Sequence, residues 1–258
     1  MKSGVVAVSL FVSSFAAVMF TQPAKAETVK VYAAAVVKEP LTAIAADYEK
    51  ATGNKVTLIF DTAGATEQRF RADADGALLI TTVPLVRNAE TSGALKDGTS
   101  TLLGSTVAGV AVTPGSVKPD VSTAEKLKAA LLGAKRIAVS DPSRGATVGT
   151  HFMKMIDALG IKDQVMRKIT FAPDGIATMQ LVVQGTVDLG VSQSSEIAQA
   201  SRDSMAGPFP KTFALVTEFS LWHRNSMPPA VADLVTRLTA REGRDKLAAE
   251  GIIPPPPR

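Results

Sequence analysis

No cysteine occurs among the 258 residues. That absence excludes disulfides, and it excludes a lipid attached through a new N-terminal thiol, so an exported chain of this kind must draw its stability from buried apolar surface. The supply is there, since 46% of the residues are hydrophobic. Histidine is almost missing too. Only His151 and His223 occur, with no G-x-S-x-G elbow, no H-E-x-x-H and no G-x-x-x-x-G-K-[ST] loop. An enzyme is therefore not expected from this inventory. Asp73-Ala74-Asp75-Gly76 opens like a calcium loop but lacks the later ligands and the terminal Glu. Neither a metal nor a cofactor is expected. Internal repeats and long Gly-, Ser- or Pro-rich linkers are absent as well, so any division into lobes must come from the chain crossing over and back.

The first 26 residues have the pattern of a cleaved secretory leader. Lys2 gives a positive start, Gly4 to Phe20 carry no charge, and Ala24-Lys25-Ala26 is a small-x-small cleavage site. A membrane helix is the competing reading. The apolar stretch is short for one and is followed by Thr21, Gln22 and Pro23. The mature chain is expected to begin at Glu27, in the periplasm. Two lysines leave with the leader, so 26 basic residues face 24 acidic ones. Near-neutrality of that kind argues against nucleic acid as a partner. No later apolar run reaches spanning length.

Short β-rich runs alternate with helical patterns along the rest. Val29–Tyr32, Lys55–Phe60, Val107–Val112, Arg136–Ser140, Arg167–Phe171, Val187–Val191 and Thr212–Phe219 read as strands. Helical stripes are formed by Leu41, Ile44, Ala45 and Tyr48, by Phe152, Met155, Ile156 and Leu159, and by Val231, Leu234, Val235 and Leu238. The alternation predicts an α/β fold with largely parallel sheets. The runs at Val107–Val112 and Thr212–Phe219 bracket a middle block with its own strands and helices, which makes them the crossover candidates. Two lobes follow, one from residues 27–107 plus 217–258 and one from 108–216.

Ligands of such folds sit beyond the carboxyl ends of strands. Several turns there are built of small and hydroxyl residues: Asp61 to Thr66, Asp141 to Thr147, Pro173-Asp174-Gly175 and Ser192 to Ser195. A helix start exposes unpaired N–H groups and partial positive charge, and small residues let an anion approach them closely. Plain N-capping is the alternative for each turn alone, including Thr66 and Thr147. Their coincidence predicts one shared anion site.

With those turns in place the chain resembles the periplasmic molybdate-binding proteins of ABC transporters. The resemblance runs through Val29-Lys-Val-Tyr-Ala-Ala-Ala35, Tyr48 to Gly53, Leu103-Gly104, Ile137 to Pro142 and Gly185 to Val191. It implies a two-lobed type II periplasmic-binding fold with two crossover strands, and capture of a small anion for an inner-membrane ABC permease. In that family a hydroxyl follows the Ala-Ala-Ala segment, a Ser-rich turn follows the second strand, and a Tyr follows the Leu-Gly-Val strand. Val36, Gly64-Ala65 and Gln193 stand at those places here. Loss of one donor to a buried oxyanion costs about 1.5–3 kcal/mol. The chain is thus placed on a divergent branch, with an organic di- or tricarboxylate or a molybdate-like oxyanion as ligand. Arg69, where the family carries an Arg, and Arg144, inside an anion turn, suit the carboxylate through bidentate pairing.

The expected ligand-binding positions are Ala35, Val36, Gly64, Ala65, Thr66, Arg69, Arg144, Gly145, Ala146, Thr147, Gly175 and Gln193, without a catalytic residue. His151, Trp222 and His223 are expected to pack. A monomer is expected. Two other classes stand beside this reading: a secreted hydrolase using a Ser/His pair, and a ligand-sensing domain for a membrane receptor.

Overall fold

The structure, a computed structural model, describes residues 26–256. The expected leader, up to Lys25, lies outside the described residues. Nine strands follow: β1 (Thr28–Ala34), β2 (Lys55–Asp61), β3 (Leu78–Thr82), β4 (Gly98–Ala111), β5 (Ile137–Ser140), β6 (Ile169–Ala172), β7 (Leu189–Gln193), β8 (Met205–Pro208) and β9 (Val216–Arg224). The helices are α1 (Lys38–Thr52), α2 (Ala63–Arg71), α3 (Val83–Thr91), α4 (Ala124–Gly133), α5 (Thr147–Ala158), α6 (Lys162–Met166), α7 (Gly175–Val183), α8 (Ser194–Ala200), α9 (Pro229–Thr239) and α10 (Arg241–Ala249). No helix among the described residues is long and apolar enough to cross a membrane.

The strands run in the order β2-β1-β3-β9-β4-β7-β5-β6, with β8 beside β4. β1 is parallel to β2 and β3, and β5 is parallel to β6 and β7. Each antiparallel ladder involves β4 or β9. This is the mixed α/β, two-lobed arrangement expected.

β4 joins the two halves. Its residues Gly98 to Val107 pair with β9, and Ala108 to Ala111 pair with β7. The switch falls at the start of the expected crossover run, but the strand begins nine residues before Val107. Gly104 makes the long strand workable. It sits at φ +152° beside a register shift, and a Cβ there would lie 2.4 Å from the carbonyl oxygen of Ile253. The second crossover strand begins at Val216 and not at Thr212, because Lys211–Phe213 form a 3-10 turn.

Each half buries its own core. The stripe Leu41, Ile44, Ala45 and Tyr48 is buried against Val31, Ile80 and Leu234, and Tyr48 donates its hydroxyl to the Ala230 carbonyl at 2.9 Å. Phe152, Met155 and Ile156 pack on Ile137, Val139 and Val191. Trp222 and Phe70 stack edge to face at 5.7 Å. Apolar burial on this scale replaces the missing disulfides.

Candidate functional site

Five strand-to-helix turns meet at the interface between the halves. β1 ends at Ala34 and passes into a 3-10 turn over Ala35–Val37; β2 leads into α2, β5 toward α5, β6 toward α7 and β7 into α8. One cavity is lined by residues from all five turns: Ala35 and Val36, Thr62 and Ala63, Ala146 and Thr147, Asp174 and Gly175, and Gln193. Phe219, on β9, adds an apolar wall. The cavity is small, about 40 Å³ of space for the centre of a water-sized sphere.

Capping divides the turns into two kinds. Thr62 Oγ1 accepts from Ala65 N at 3.3 Å, and Asp174 Oδ1 accepts from Ala177 N at 2.7 Å. By contrast Ala34 and Ala146, the N-caps of the first 3-10 turn and of α5, offer no side-chain acceptor. Amides at Ala35, Val36, Thr147 and Val148 therefore have no side-chain cap, at two helix starts facing one cavity. Uncapped N–H groups with the positive end of a helix behind them suit a negative charge. N-capping, the alternative for Thr66 and Thr147, belongs instead to Thr62 and Ala146. Thr66 turns inward, where its hydroxyl donates to the Ala33 carbonyl at 3.3 Å.

The expected positions divide accordingly. Ala35, Val36, Ala146, Thr147, Gly175 and Gln193 line the cavity, whereas Gly64, Ala65, Thr66, Arg69, Arg144 and Gly145 stand behind its wall. Gly64 and Gly145 touch across the interface, with Gly64 N donating to the Gly145 carbonyl at 3.2 Å. Thr62 Oγ1 donates to the Arg144 carbonyl beside them. Both arginines are taken up by Asp61. Arg144 Nη2 donates to Asp61 Oδ1 at 2.8 Å and Arg69 Nη1 to Oδ2 at 3.2 Å, while Arg144 Nε holds the Pro173 carbonyl at 3.0 Å. The guanidinium fork does meet a carboxylate, but one supplied by the chain itself.

Gln193 is also committed. Its Oε1 accepts from Thr106 on β4 and its Nε2 donates to Thr217 on β9, each at 2.9 Å. The side chain ties α8 to both crossover strands.

Three lining carboxylates fall outside the expected set: Asp61, Asp174 and Glu196. Glu196 is 6% exposed; its Oε2 accepts from Ser192 Oγ at 2.6 Å and from Gln193 N at 3.1 Å. Burial pushes its carboxyl up to about 7, against the two hydrogen bonds, which pull the other way. The spacing of Gln193 and Glu196, with a helix opening between them, is a capping-box signal legible in the sequence.

The histidines pack as expected. His151 stacks on Phe209 at 5.9 Å and its Nε2 meets the Phe213 carbonyl at 2.8 Å, while His223 Nδ1 meets the Arg224 carbonyl. Neither ring is hydrogen-bonded to a serine among the described residues.

A family model for bacterial extracellular solute-binding proteins matches residues 29–253. The sequence is 24% identical over 220 residues to an aconitate isomerase of a Pseudomonas species, covering 83% of this chain and 82% of that one. Among solved structures, the periplasmic molybdate-binding protein of Azotobacter vinelandii superposes with a TM-score of 0.71 at 17% identity, covering 88% of this chain and 100% of that one. L-phospholactate-bound PEB3, a protein of Campylobacter jejuni, gives 0.63 at 18% identity over 87% of this chain and 99% of that one.

Proposed function

The chain belongs to the bacterial extracellular solute-binding protein family, and we propose that its interlobe cavity captures a small organic di- or tricarboxylate in the periplasm and hands it to an inner-membrane ABC permease. The observation that carries this reading is the convergence of five helix or turn beginnings on one cavity, two of them without side-chain caps. Amide N–H groups fixed by helices need no reorganisation to receive an anion. Support for a carboxylate comes from Val36, which offers no hydroxyl to an oxyanion, and from Phe219, which gives a carbon skeleton an apolar wall. The relatives named for aconitate and for bound L-phospholactate both act on or hold a small carboxylate. A molybdate-like oxyanion is the second ligand class.

In this reading the protein works as a monomer, with lobes of residues 27–107 plus 217–258 and of 108–216 closing about β4 and the approach to β9. Ala35, Val36, Ala146, Thr147 and Gly175 contact the ligand through the backbone, with Gln193 fixing the wall. Arg69 and Arg144 balance Asp61 and set the charge behind the amides.

Calorimetry of the protein from Glu27 onward, against molybdate, tungstate, sulfate and a series of di- and tricarboxylates, tests the proposal. Saturable heat with one or more carboxylates and none with the oxometallates is the expected result. Heat with oxometallates alone overturns the carboxylate assignment. Binding of the loaded protein to a receptor kinase and to no permease favours the sensing role instead.

A further inference from the structure

The carboxyl group of Glu196 is better placed than a helix cap requires. One oxygen, Oε2, does the capping work by accepting from Gln193 N and from Ser192 Oγ. The other, Oε1, has no hydrogen-bond partner among the described residues, although the side chain is 6% exposed and lines the cavity. Gly175 makes room for it. A Cβ at that position would stand 2.0 Å from Oε2 and 2.3 Å from Oε1, so only glycine lets the first turn of α7 accept this carboxyl group.

The other charged groups around it are acidic. Asp174, at the head of α7, and Asp61, at the end of β2, line the same cavity, and Asp61 is held by Arg144 and Arg69 from behind. No lysine or arginine lines the cavity to hold Glu196 ionised. A carboxyl group in that setting exchanges its proton near neutral pH, the range in which a general base also works as the returning acid.

We infer that Glu196 is an acid–base group that moves a proton along the carbon skeleton of a carboxylate bound in this cavity. The inference rests on the carboxylate reading proposed above. The suitable substrate class is an unsaturated di- or tricarboxylate with a methylene between the alkene and a carboxylate, since that C–H is acidified from both sides. Glu196 takes the methylene proton. The C–H electron pair becomes the new double bond, the old double-bond pair moves to the far carbon, and that carbon takes the proton back from the Glu196 carboxyl. Nothing is oxidised or reduced and no group leaves. Negative charge gathers on the ligand carboxylate during the shift, and the uncapped amides of Ala35, Val36, Thr147 and Val148 face the place where it gathers. Capture and proton transfer thus use two parts of one wall.

The test uses the protein from Glu27 onward in D2O with glutaconate and with propene-1,2,3-tricarboxylate, followed by proton NMR, with calorimetry on the same samples. Deuterium should enter the methylene of at least one acid that binds. Glu196→Gln should lower that rate at least a hundredfold while the Kd changes less than tenfold. The wild-type rate should rise with pH and level off above about 7, a profile that a capping role alone does not produce. Binding without exchange by the wild-type protein overturns this inference and leaves capture standing; absence of binding by both acids overturns this inference alone, capture being decided by the wider carboxylate series. Unreduced exchange in Glu196→Gln transfers the role away from Glu196 and overturns the assignment. Glu196→Asp, which keeps a carboxyl group but withdraws it, takes the place of the Gln variant if that one does not fold: slower exchange supports the assignment and unreduced exchange overturns it.

Discussion

Gly64 and Gly145 come together so closely that neither tolerates a side chain. A Cβ on Gly64 would lie 2.8 Å from Gly145 Cα, while Gly145 at φ +71° already occupies the left-handed region. Because these residues belong to different halves, Gly64→Ala strains the closed interface and leaves each core untouched. Overpacking of this kind costs about 1–3 kcal/mol, and each 1.4 kcal/mol is tenfold in affinity. Calorimetry with any anion that binds should give a Kd at least about fivefold weaker, with a melting temperature close to wild type in the empty protein. At the same scale Glu196 makes stability depend on pH. Its folded-state value of about 7 lies above the ordinary 4.5, so the stabilisation is complete below pH 4.5 and is lost as pH rises through 7. The difference corresponds to about 3 kcal/mol. Urea titrations of the empty protein should show stability falling from pH 5 to 8, and Glu196→Gln should flatten that fall.

Among the elements, α8 is fastened at its start to both strands that join the halves. Gln193 lies between Thr106 and Thr217, all three buried. Gln193→Leu would leave two threonine hydroxyls without their partner, at about 1–3 kcal/mol for each group left unsatisfied. Urea denaturation should report a loss of that order, with a change in affinity smaller than the one at Gly64→Ala, because the Gln193 amide already has both its partners within the protein. The sequence could be read at this level where period and punctuation agreed. α1 was visible from its stripe and from Gly53, which closes the helix at φ +75°. β3 was not visible, since Leu78–Thr82 is buried throughout and five apolar or β-branched residues have no alternation to read. β8 was hidden for the opposite reason, as Met205-Ala-Gly-Pro208 has weak strand preference and takes its form from β4. Four of the five turns were legible because small residues at helix starts leave a local signal, whereas Ala35 and Val36 were reached through the family resemblance. That Arg144 would turn to Asp61 was not legible, because a pairing across 83 residues leaves no such signal.

For the molecule as a whole, a set of direct contacts across the interface holds the two halves together. Arg144 reaches Asp61, Thr62 reaches the Arg144 carbonyl, Gly64 N meets the Gly145 carbonyl, and Gln199 Nε2 donates to the Val36 carbonyl at 2.7 Å. Asp61 is the decisive member, because its carboxylate occupies the two guanidinium groups that a bound carboxylate would otherwise attract. Removing that charge by Asp61→Asn should free Arg69 and Arg144 and raise the positive potential behind the amides. A half-exposed ion pair of this kind is worth about 1 kcal/mol, so the closed state should lose roughly fivefold in population while the cleft gains attraction for an anion. Small-angle scattering of empty Asp61→Asn should therefore show a more open particle than wild type. Calorimetry should show an affinity for carboxylates that is equal or tighter and more sensitive to salt. Arg144→Ala separates the two contributions. If Arg144 acts as a latch, this variant opens the empty protein to the same degree and weakens binding only several-fold; if it grips the ligand directly, affinity falls by more than a hundredfold with no matching change in scattering. The same variant placed on Asp61→Asn should cancel the gain in affinity, because the charge released by removing Asp61 would have no side chain left to carry it across the interface.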